Sequence, residues 1–179
     1  MSVVRKSQIF PIFVGNALCL EDQARMAVGR RNLYNIGSTI PFNKLGCMKG
    51  GSGKMYPKLV PCRPWEIAEK AAKRIGAKWF CRLGGIAELS QFMAQYPEEI
   101  EKHSAVFALD ENSRWTNSDG DVCVAYACVE GHNRCLIGYR IDHLLAPEDY
   151  IIVLQPRIFS IVGLIISWIW MVVLRLFGK

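Results

Sequence analysis

Cys81 and three histidines are the residues of this chain whose order could support nucleophilic chemistry. Cys81 lies shortly before a predicted helix, and His132 follows in a part of the chain predicted to form strands. A thiol at a helix N-terminus has a lowered pKa, and a histidine on a following sheet can accept its proton. This order is typical of thiol hydrolases, but no signature surrounds Cys81. A membrane-anchored hydrolase that uses Cys81 and His132 is one hypothesis, and a core cysteine with structural histidines is the simpler one.

The densest group of potential metal ligands also lies in the predicted strands. Three thiols and an imidazole suit zinc, and a hairpin would bring Cys128 opposite Cys135. The spacing lacks the paired knuckles of zinc modules, however, and Cys123 and Cys128 differ in strand parity, so their side chains point to opposite faces. We therefore expect reduced, buried cysteines, with no metal and no cofactor. The alternative zinc ligands are Cys123, Cys128, His132 and Cys135.

The string GGSGK at residues 50–54 has part of the pattern of a phosphate-binding loop. The complete pattern requires glycine at position 48 and serine or threonine at position 55, and methionine occupies both. The hydroxyl that would bind Mg²⁺ is missing, so the sequence does not predict nucleotide binding. We expect a basic loop over residues 46–58.

Basic residues are concentrated in the N-terminal third of the chain. Residues 1–64 contain ten lysines and arginines but two acids, whereas residues 103–157 contain four basic and eight acidic residues. Apart from one helix predicted at 21–31, residues 1–64 show no hydrophobic period and are rich in glycine and proline. We predict a basic, irregular arm that contacts anionic lipid or an acidic protein surface. Its candidate contact residues are Arg30, Arg31, Lys44, Lys49, Lys54 and Lys58.

Nucleic acid is a further anionic partner that such an arm would suit. Tyr34 and Tyr56 are interleaved with the basic residues and would stack on bases while the cations follow phosphates. No signature of an RNA- or DNA-binding fold accompanies them. A membrane-tethered nucleic-acid-binding protein is an alternative hypothesis, and nucleic acid is not the expected partner.

Seventeen residues without a charge, 158–174, lie near the C-terminus. As a helix they span about 26 Å, the short end of what crosses the core of a bilayer. Arg157 precedes the segment, and Arg175 follows it and can reach the headgroups, which extends the span to residue 177. We predict a single transmembrane helix over 158–177 that acts as a tail anchor.

The location of the remaining residues is predicted from charge and from the N-terminus. Lysine and arginine are equally frequent on the two sides of the predicted span, so they do not decide its orientation. The first residues match a secretory signal poorly. We expect the soluble part on the side of synthesis or in an organelle matrix, and a mitochondrial or bacterial inner membrane is compatible with this.

Small residues form one face of the predicted transmembrane helix. Ser160, Gly163 and Ser167 are spaced i, i+3 and i+7 and therefore lie on the same side. Small side chains let a second helix approach closely, so that packing and hydrogen bonds join the two. This face predicts contact with membrane helices of other subunits.

The residues between the arm and the anchor, 65–155, predict an α+β domain. Apolar periodicity predicts a helix over 67–75, and further helices that begin near Gly85 and at Pro97. Short turns and β-branched residues indicate an antiparallel β-meander with a small helical layer packed on it. Its four strands are predicted at 105–109, 122–129, 135–141 and 150–154.

A tail anchor, a small-residue helix face and a long basic arm occur together in this chain, and its catalytic motifs are incomplete. This combination favours a non-catalytic accessory or structural subunit of a multi-protein membrane complex.

Overall fold

Four of the helices and four of the strands occur where the sequence predicts them. A computed structural model describes residues 12–14, 19–29, 36, 40–45, 53–77, 81–131 and 133–155. Its helices are α1 (Leu20–Val28), α2 (Phe42–Leu45), α3 (Ala68–Gly76), α4 (Ile86–Gln95) and α5 (Pro97–Ile100). Its strands are β1 (Ile12–Val14), β2 (Gly53–Pro61), β3 (Arg82–Leu83), β4 (Ala105–Ala108), β5 (Trp115–Thr116), β6 (Val122–Glu130), β7 (Asn133–Arg140) and β8 (Tyr150–Gln155). The predicted α+β class is confirmed.

The strands form one mixed sheet. Its main order is β1–β2–β8–β4–β6–β5, with β3 also paired to β8 and β7 also paired to β6. β4 and β8 run parallel, with Val106 opposite Tyr150 and Phe107 opposite Ile151. The predicted antiparallel meander is wrong in its last strand, because β8 does not continue beside β7 but lies between β2 and β4.

Burial explains the central position of β8. Its residues 151–154 are all buried. Ile152 packs in the core on one face of the sheet, whereas Ile151 and Val153 pack in the core on the other face. A strand that is apolar on both sides is stable only where both sides are covered. The edge of a meander does not provide this cover, and the centre of the sheet does.

Helices cover both faces of the sheet, rather than forming one layer. α1 and α4 contribute Ala24 and Phe92 to the core on the first face. α3 contributes Ala71 and Ile75 to the core on the second face. The helical layer predicted from the sequence is therefore divided between the two sides.

Part of the predicted irregular arm belongs to the sheet, which corrects that prediction. β2 pairs with β8 from Tyr56, opposite Gln155, to Pro61, opposite Tyr150. The loop predicted over 46–58 therefore overlaps a strand from residue 53 onward. From the sequence alone, the prolines of β2 argue against a strand, because proline cannot donate a ladder hydrogen bond. They are tolerated here because, among the described residues, this stretch of β2 pairs only with β8.

α1 begins and ends where its local chemistry requires. The sulfur of Cys19 accepts a hydrogen bond from the backbone N–H of Asp22 at 3.4 Å and so caps the helix. Leu20, Ala24 and Val28 recur on one face and are buried. The helix ends at Val28, three residues before the predicted end, because Gly29 takes a positive φ of 93°.

Glu66 precedes α3 and pairs with Arg74 within the helix, so the pair attaches the segment before α3 to the helix. Arg74 Nε donates to Glu66 Oε1 at 2.8 Å, and Arg74 Nη2 donates to Glu66 Oε2 at 2.7 Å. The two side chains are only 11% and 19% exposed, for Glu66 and Arg74 respectively. The hydrogen bond from Arg74 is the main reason why the pKa of Glu66 is lowered.

The Glu66→Gln variant should lose about 2 kcal/mol of unfolding free energy at neutral pH, because it loses a bidentate, charge-assisted pair. The folded-state pKa of Glu66 lies below its ordinary 4.5. Its contribution is therefore present above that value and is lost as the pH falls through the folded-state pKa. Urea unfolding of wild type and variant should converge in acid.

Glu69→Gln is the matched control, because Glu69 pairs with the exposed Lys73 at 2.7 Å. Exposed pairs contribute little, so stability should be nearly unchanged. Equal losses in the two variants, or a difference that persists in acid, would contradict the role given to Glu66.

No helix among the described residues is long and apolar enough to cross a membrane. The predicted transmembrane helix over 158–177, with its face of Ser160, Gly163 and Ser167, lies outside the described residues. It stays a prediction.

Candidate functional site

A cleft of about 530 Å³ opens between the end of α3, strand β3 and the segment that follows β4. It contains Cys81, the thiol that the sequence singles out. The charged residues that line the cleft carry both signs. The lining residues that decide its chemistry are Glu69, Lys73, Cys81, Arg82, Asp110 and Arg114.

Arg82 joins two buried carboxylates beside this cleft. Its Nη2 donates to Glu88 Oε1 at 2.7 Å, and its Nη1 donates to Asp110 Oδ2 at 3.2 Å. The Glu88 side chain is 1% exposed and that of Asp110 is 9% exposed, whereas Arg82 is about half exposed at 47%. A planar guanidinium can bind two carboxylates at once, which an ammonium group does less well. The arrangement ties β3 to α4 and to the segment after β4.

Two glycines bring Arg82 and Glu88 within reach of each other. Gly84 N donates to Ile152 O at 2.9 Å, and a β-carbon on Gly84 would lie 2.7 Å from Ile152 Cγ2. This close approach holds β3 against β8. Gly85 N donates to Glu88 Oε2 at 2.9 Å, so one oxygen of Glu88 caps α4 while the other binds Arg82.

The other cations of the cleft also lie beside carboxylates or carbonyls. Lys73 pairs with Glu69 at 2.7 Å. Arg114 Nη2 donates to Leu109 O at 3.2 Å, while its Nε is buried and has no hydrogen-bond partner in the described part of the chain. The cations of the cleft therefore each have a carboxylate or carbonyl partner among the described residues.

Cys81 has no histidine beside it among the described residues that line the cleft. His103 packs its ring on Tyr150, with ring centroids 4.0 Å apart. His143 packs edge-on to Tyr139 at 5.5 Å. Both rings belong to aromatic contacts of the sheet, and neither lines the cleft.

The helix that follows Cys81 begins five residues later in the chain. α4 starts at Ile86, with Gly85 as its N-cap, and the field of a helix end falls off within one turn. His132 lies outside the described residues. The pair of Cys81 and His132 stays a prediction.

The β6–β7 hairpin brings three metal-ligand side chains together near its turn. Cys128 lies opposite Cys135 in the register, and Glu130 follows Cys128 by two residues on the same strand face. The two sulfurs and a carboxylate oxygen of Glu130 all lie within 4.8 Å of one another. Cys128 and Cys135 are buried, at 7% and 2% exposure, whereas Glu130 is exposed.

Burial, together with these neighbours, raises the pKa of both thiols. Burial is the main cause that raises the pKa of Cys128 to about 12, and the neighbouring Cys135 and Glu130 add to it. Burial also raises the pKa of Cys135, with Glu130 as the second cause. Both thiols are therefore protonated at neutral pH in the absence of a cation. A coordinated cation would reverse this preference, because a metal-bound thiol is deprotonated.

Cys123 does not share this site, although the sequence groups it with Cys128, His132 and Cys135. It packs in the core under α1 and α4, on the opposite face of the sheet. The strand-parity argument anticipates this placement. Glu130 is the ligand that the sequence analysis does not include, and its signal is the two-residue spacing from Cys128. His132 lies in the two-residue connection of the hairpin, outside the described residues.

The predicted contact residues of the basic arm are described only in part. Lys54 and Lys58 lie on β2, and Lys44 lies on α2. Arg30, Arg31 and Lys49 lie outside the described residues. The basic contact surface stays a prediction.

Nothing matched this chain in comparisons with protein-family models, curated proteins and solved structures. The proposals below rest on its residues and their geometry.

Proposed function

We propose that the protein is a non-catalytic accessory subunit of a multi-protein membrane complex, anchored by one helix over residues 158–177. The observation that carries the proposal is the uncharged segment 158–174, which follows β8 almost directly in the sequence. A segment of this length and composition suits the core of a bilayer, where every backbone polar group must bond within its own helix.

The position of β8 supports an anchor that fixes the domain at the membrane. Near its end, Leu154 lies opposite Pro57 of β2 on one side and opposite Arg82 of β3 on the other. β8 is therefore held on both sides close to where the anchor segment follows in the sequence. A membrane helix that follows so soon after β8 would keep the domain close to the membrane.

The charge pairing of the cleft supports a non-catalytic role. Arg82 is engaged by two carboxylates, and Lys73 pairs with Glu69. No histidine lies among the described lining residues to act as the general base of a Cys–His pair. The residues of the cleft are thus explained by packing β3 against its neighbours.

The expected partners follow from the two predicted contact regions. Ser160, Gly163 and Ser167 would pack against membrane helices of other subunits. The basic residues of the N-terminal region would face anionic lipid or an acidic protein surface.

The test is membrane extraction followed by purification of the full chain in mild detergent, with quantification of the chains that co-purify. The wild type should remain in membranes after an alkaline carbonate wash and should purify with partner chains in a constant ratio. Gly163→Leu and Ser167→Leu should keep the protein in membranes but reduce the recovered partners at least about 10-fold, an effect of roughly 1.4 kcal/mol on the helix contact.

Val162→Leu and Ile169→Leu are the matched controls, since these positions lie on the opposite side of the same predicted helix. They should leave the partner ratio unchanged. A protein that is released by carbonate, or a stable monomer without co-purifying chains, would contradict the proposal. Equal losses in both pairs of variants would contradict the role of the small-residue face.

The Cys81→Ser variant distinguishes the accessory-subunit proposal from the thiol-hydrolase hypothesis. An accessory subunit should keep its partners and its stability in this variant, because Cys81 is only partly buried. Loss of a hydrolytic activity that co-purifies with the chain would instead support the enzyme.

A further inference from the structure

We propose that Cys128, Cys135 and Glu130 form a binding site for a single zinc ion at the turn end of the β6–β7 hairpin. The site is independent of the membrane anchor, so it stands or falls separately from the proposed function. It rests on three side chains whose ligand atoms lie within 4.8 Å of one another.

The register of the hairpin determines which residues meet. Cys128 and Cys135 are directly opposite, and the next pair on the same face is Glu130 with Asn133. Directly opposed residues have β-carbons about 4.5–5.5 Å apart, which is the distance from which two thiols can hold one ion. The two-residue connection between Glu130 and Asn133, with Gly131 at a φ of 63°, keeps this register from slipping.

The distances are compatible with tetrahedral coordination after a small adjustment of side chains. Zinc binds sulfur at about 2.3 Å and carboxylate oxygen at about 2.1 Å, which places ligand atoms about 3.6–3.8 Å apart. The observed limit of 4.8 Å exceeds this by about 1 Å, a change that rotation of an exposed glutamate and two cysteines can supply. Three protein ligands leave one coordination position for water.

The chemistry of the ligands selects the metal. Two thiolates favour zinc or another soft cation over magnesium and calcium, which prefer sites made of oxygen alone. Binding releases the protons of both thiols to solvent, since only the thiolate is a ligand, so affinity should rise with pH. A bound ion would link β6 to β7 next to the turn, and two thiolate ligands would replace the two buried, protonated thiols.

The test is zinc titration of the reduced, detergent-purified full chain against a chromophoric chelator, with Co²⁺ absorption as a second readout. The wild type should bind one equivalent of zinc, and its cobalt form should show thiolate-to-metal charge-transfer bands. Cys128→Ser and Cys135→Ser should each weaken zinc binding at least about 100-fold, and Glu130→Gln about 10- to 100-fold. Because Glu130 is exposed, its variant should fold even if a cysteine variant does not.

Cys123→Ser is the matched control, since Cys123 is a buried cysteine of the same strand that faces the opposite core. It should bind zinc as tightly as the wild type. Absence of zinc binding by the reduced wild type, or unchanged affinity in the Cys128 and Cys135 variants, would overturn the proposal. The same holds if Glu130→Gln binds like the wild type, or if the two thiols are found as a disulfide whose reduction creates no zinc affinity.

Discussion

The Arg82→Met variant is expected to lose about 3 kcal/mol of unfolding free energy, the lower part of the range for breaking a buried ion pair. Methionine replaces the apolar stem of the arginine side chain but lacks the cation that the two carboxylates share. Glu88 is 1% exposed and binds Arg82 at 2.7 Å, and Asp110 binds the same guanidinium at 3.2 Å. Urea unfolding of the detergent-purified chain, followed by far-ultraviolet circular dichroism, measures the change.

The size of the expected stability loss depends on the hydrogen bonds that the two carboxylates retain in the Arg82→Met variant. Glu88 still accepts a hydrogen bond from Gly85 N, and Asp110 still accepts one from Asn112 N at 2.9 Å. Their negative charges, however, remain in a poorly hydrated place without a counter-charge. The retained hydrogen bonds place the expected loss at the lower end of the range, and the uncompensated charges keep it well above that of a surface pair.

Arg25→Met is the matched control for this experiment. Arg25 makes an equally short pair with Glu21, at 2.6 Å, but both side chains are 48% exposed and the pair lies on the surface of α1. Its stability should be nearly unchanged. Arg82→Lys should be intermediate, because an ammonium group cannot bind both carboxylates in the same fork geometry. If Arg82→Met were no less stable than Arg25→Met, the bridge would have no structural role.

The Phe107→Ala variant is expected to lose about 4 kcal/mol, within the range for truncating a buried phenylalanine. Phe107 lies on β4 and is 1% exposed. Its ring stacks on Tyr126 at 5.2 Å and meets Tyr139 edge-on at 5.1 Å. Alanine would leave a cavity under two aromatic side chains of the β6–β7 hairpin. The loss should appear in urea unfolding, and the near-ultraviolet dichroism of the tyrosines should weaken in the native state.

Trp65→Ala is the control for aromatic truncation, because Trp65 is 79% exposed. It should change the unfolding free energy by less than about 0.5 kcal/mol. Phe107→Leu should lose less than Phe107→Ala, since leucine fills most of the space but forms no aromatic pair. A loss below about 1 kcal/mol in Phe107→Ala would show that the aromatic cluster is not part of the cooperative core.

Helix positions follow from the sequence because the signals that determine them are local. The acids at the start of α1, the glutamate that caps α4 and Pro97 at the start of α5 act within one turn of the residues they affect. The positions of β4, β6, β7 and β8 also follow, since short polar segments such as Asp119-Gly120 separate them, whereas the two-residue strand β5 does not follow. β2 does not follow, because its two prolines and its glycine-rich start are local signals for a loop.

The candidate site is predictable in part for the same reason. The sequence places Cys128 opposite Cys135 through a hairpin and separates Cys123 by parity, and both statements depend on period two along a strand. The partners of Arg82 are not predictable, because Asp110 comes from a segment after β4 and contacts Arg82 only when β3 and β4 both pair with β8. The same limit applies to Cys81, whose neighbours in the cleft come from three separate segments.

By itself, the sequence determined the α+β class, the positions of four helices and four strands, the charge asymmetry of the chain and the uncharged segment 158–174. Each of these depends on residues that are close together in the chain. Only the tertiary structure decided that β8 lies between β2 and β4 and that helices cover both faces of the sheet. These outcomes depend on burying apolar residues on both faces of the central strands, a requirement that all elements satisfy together and no single segment encodes.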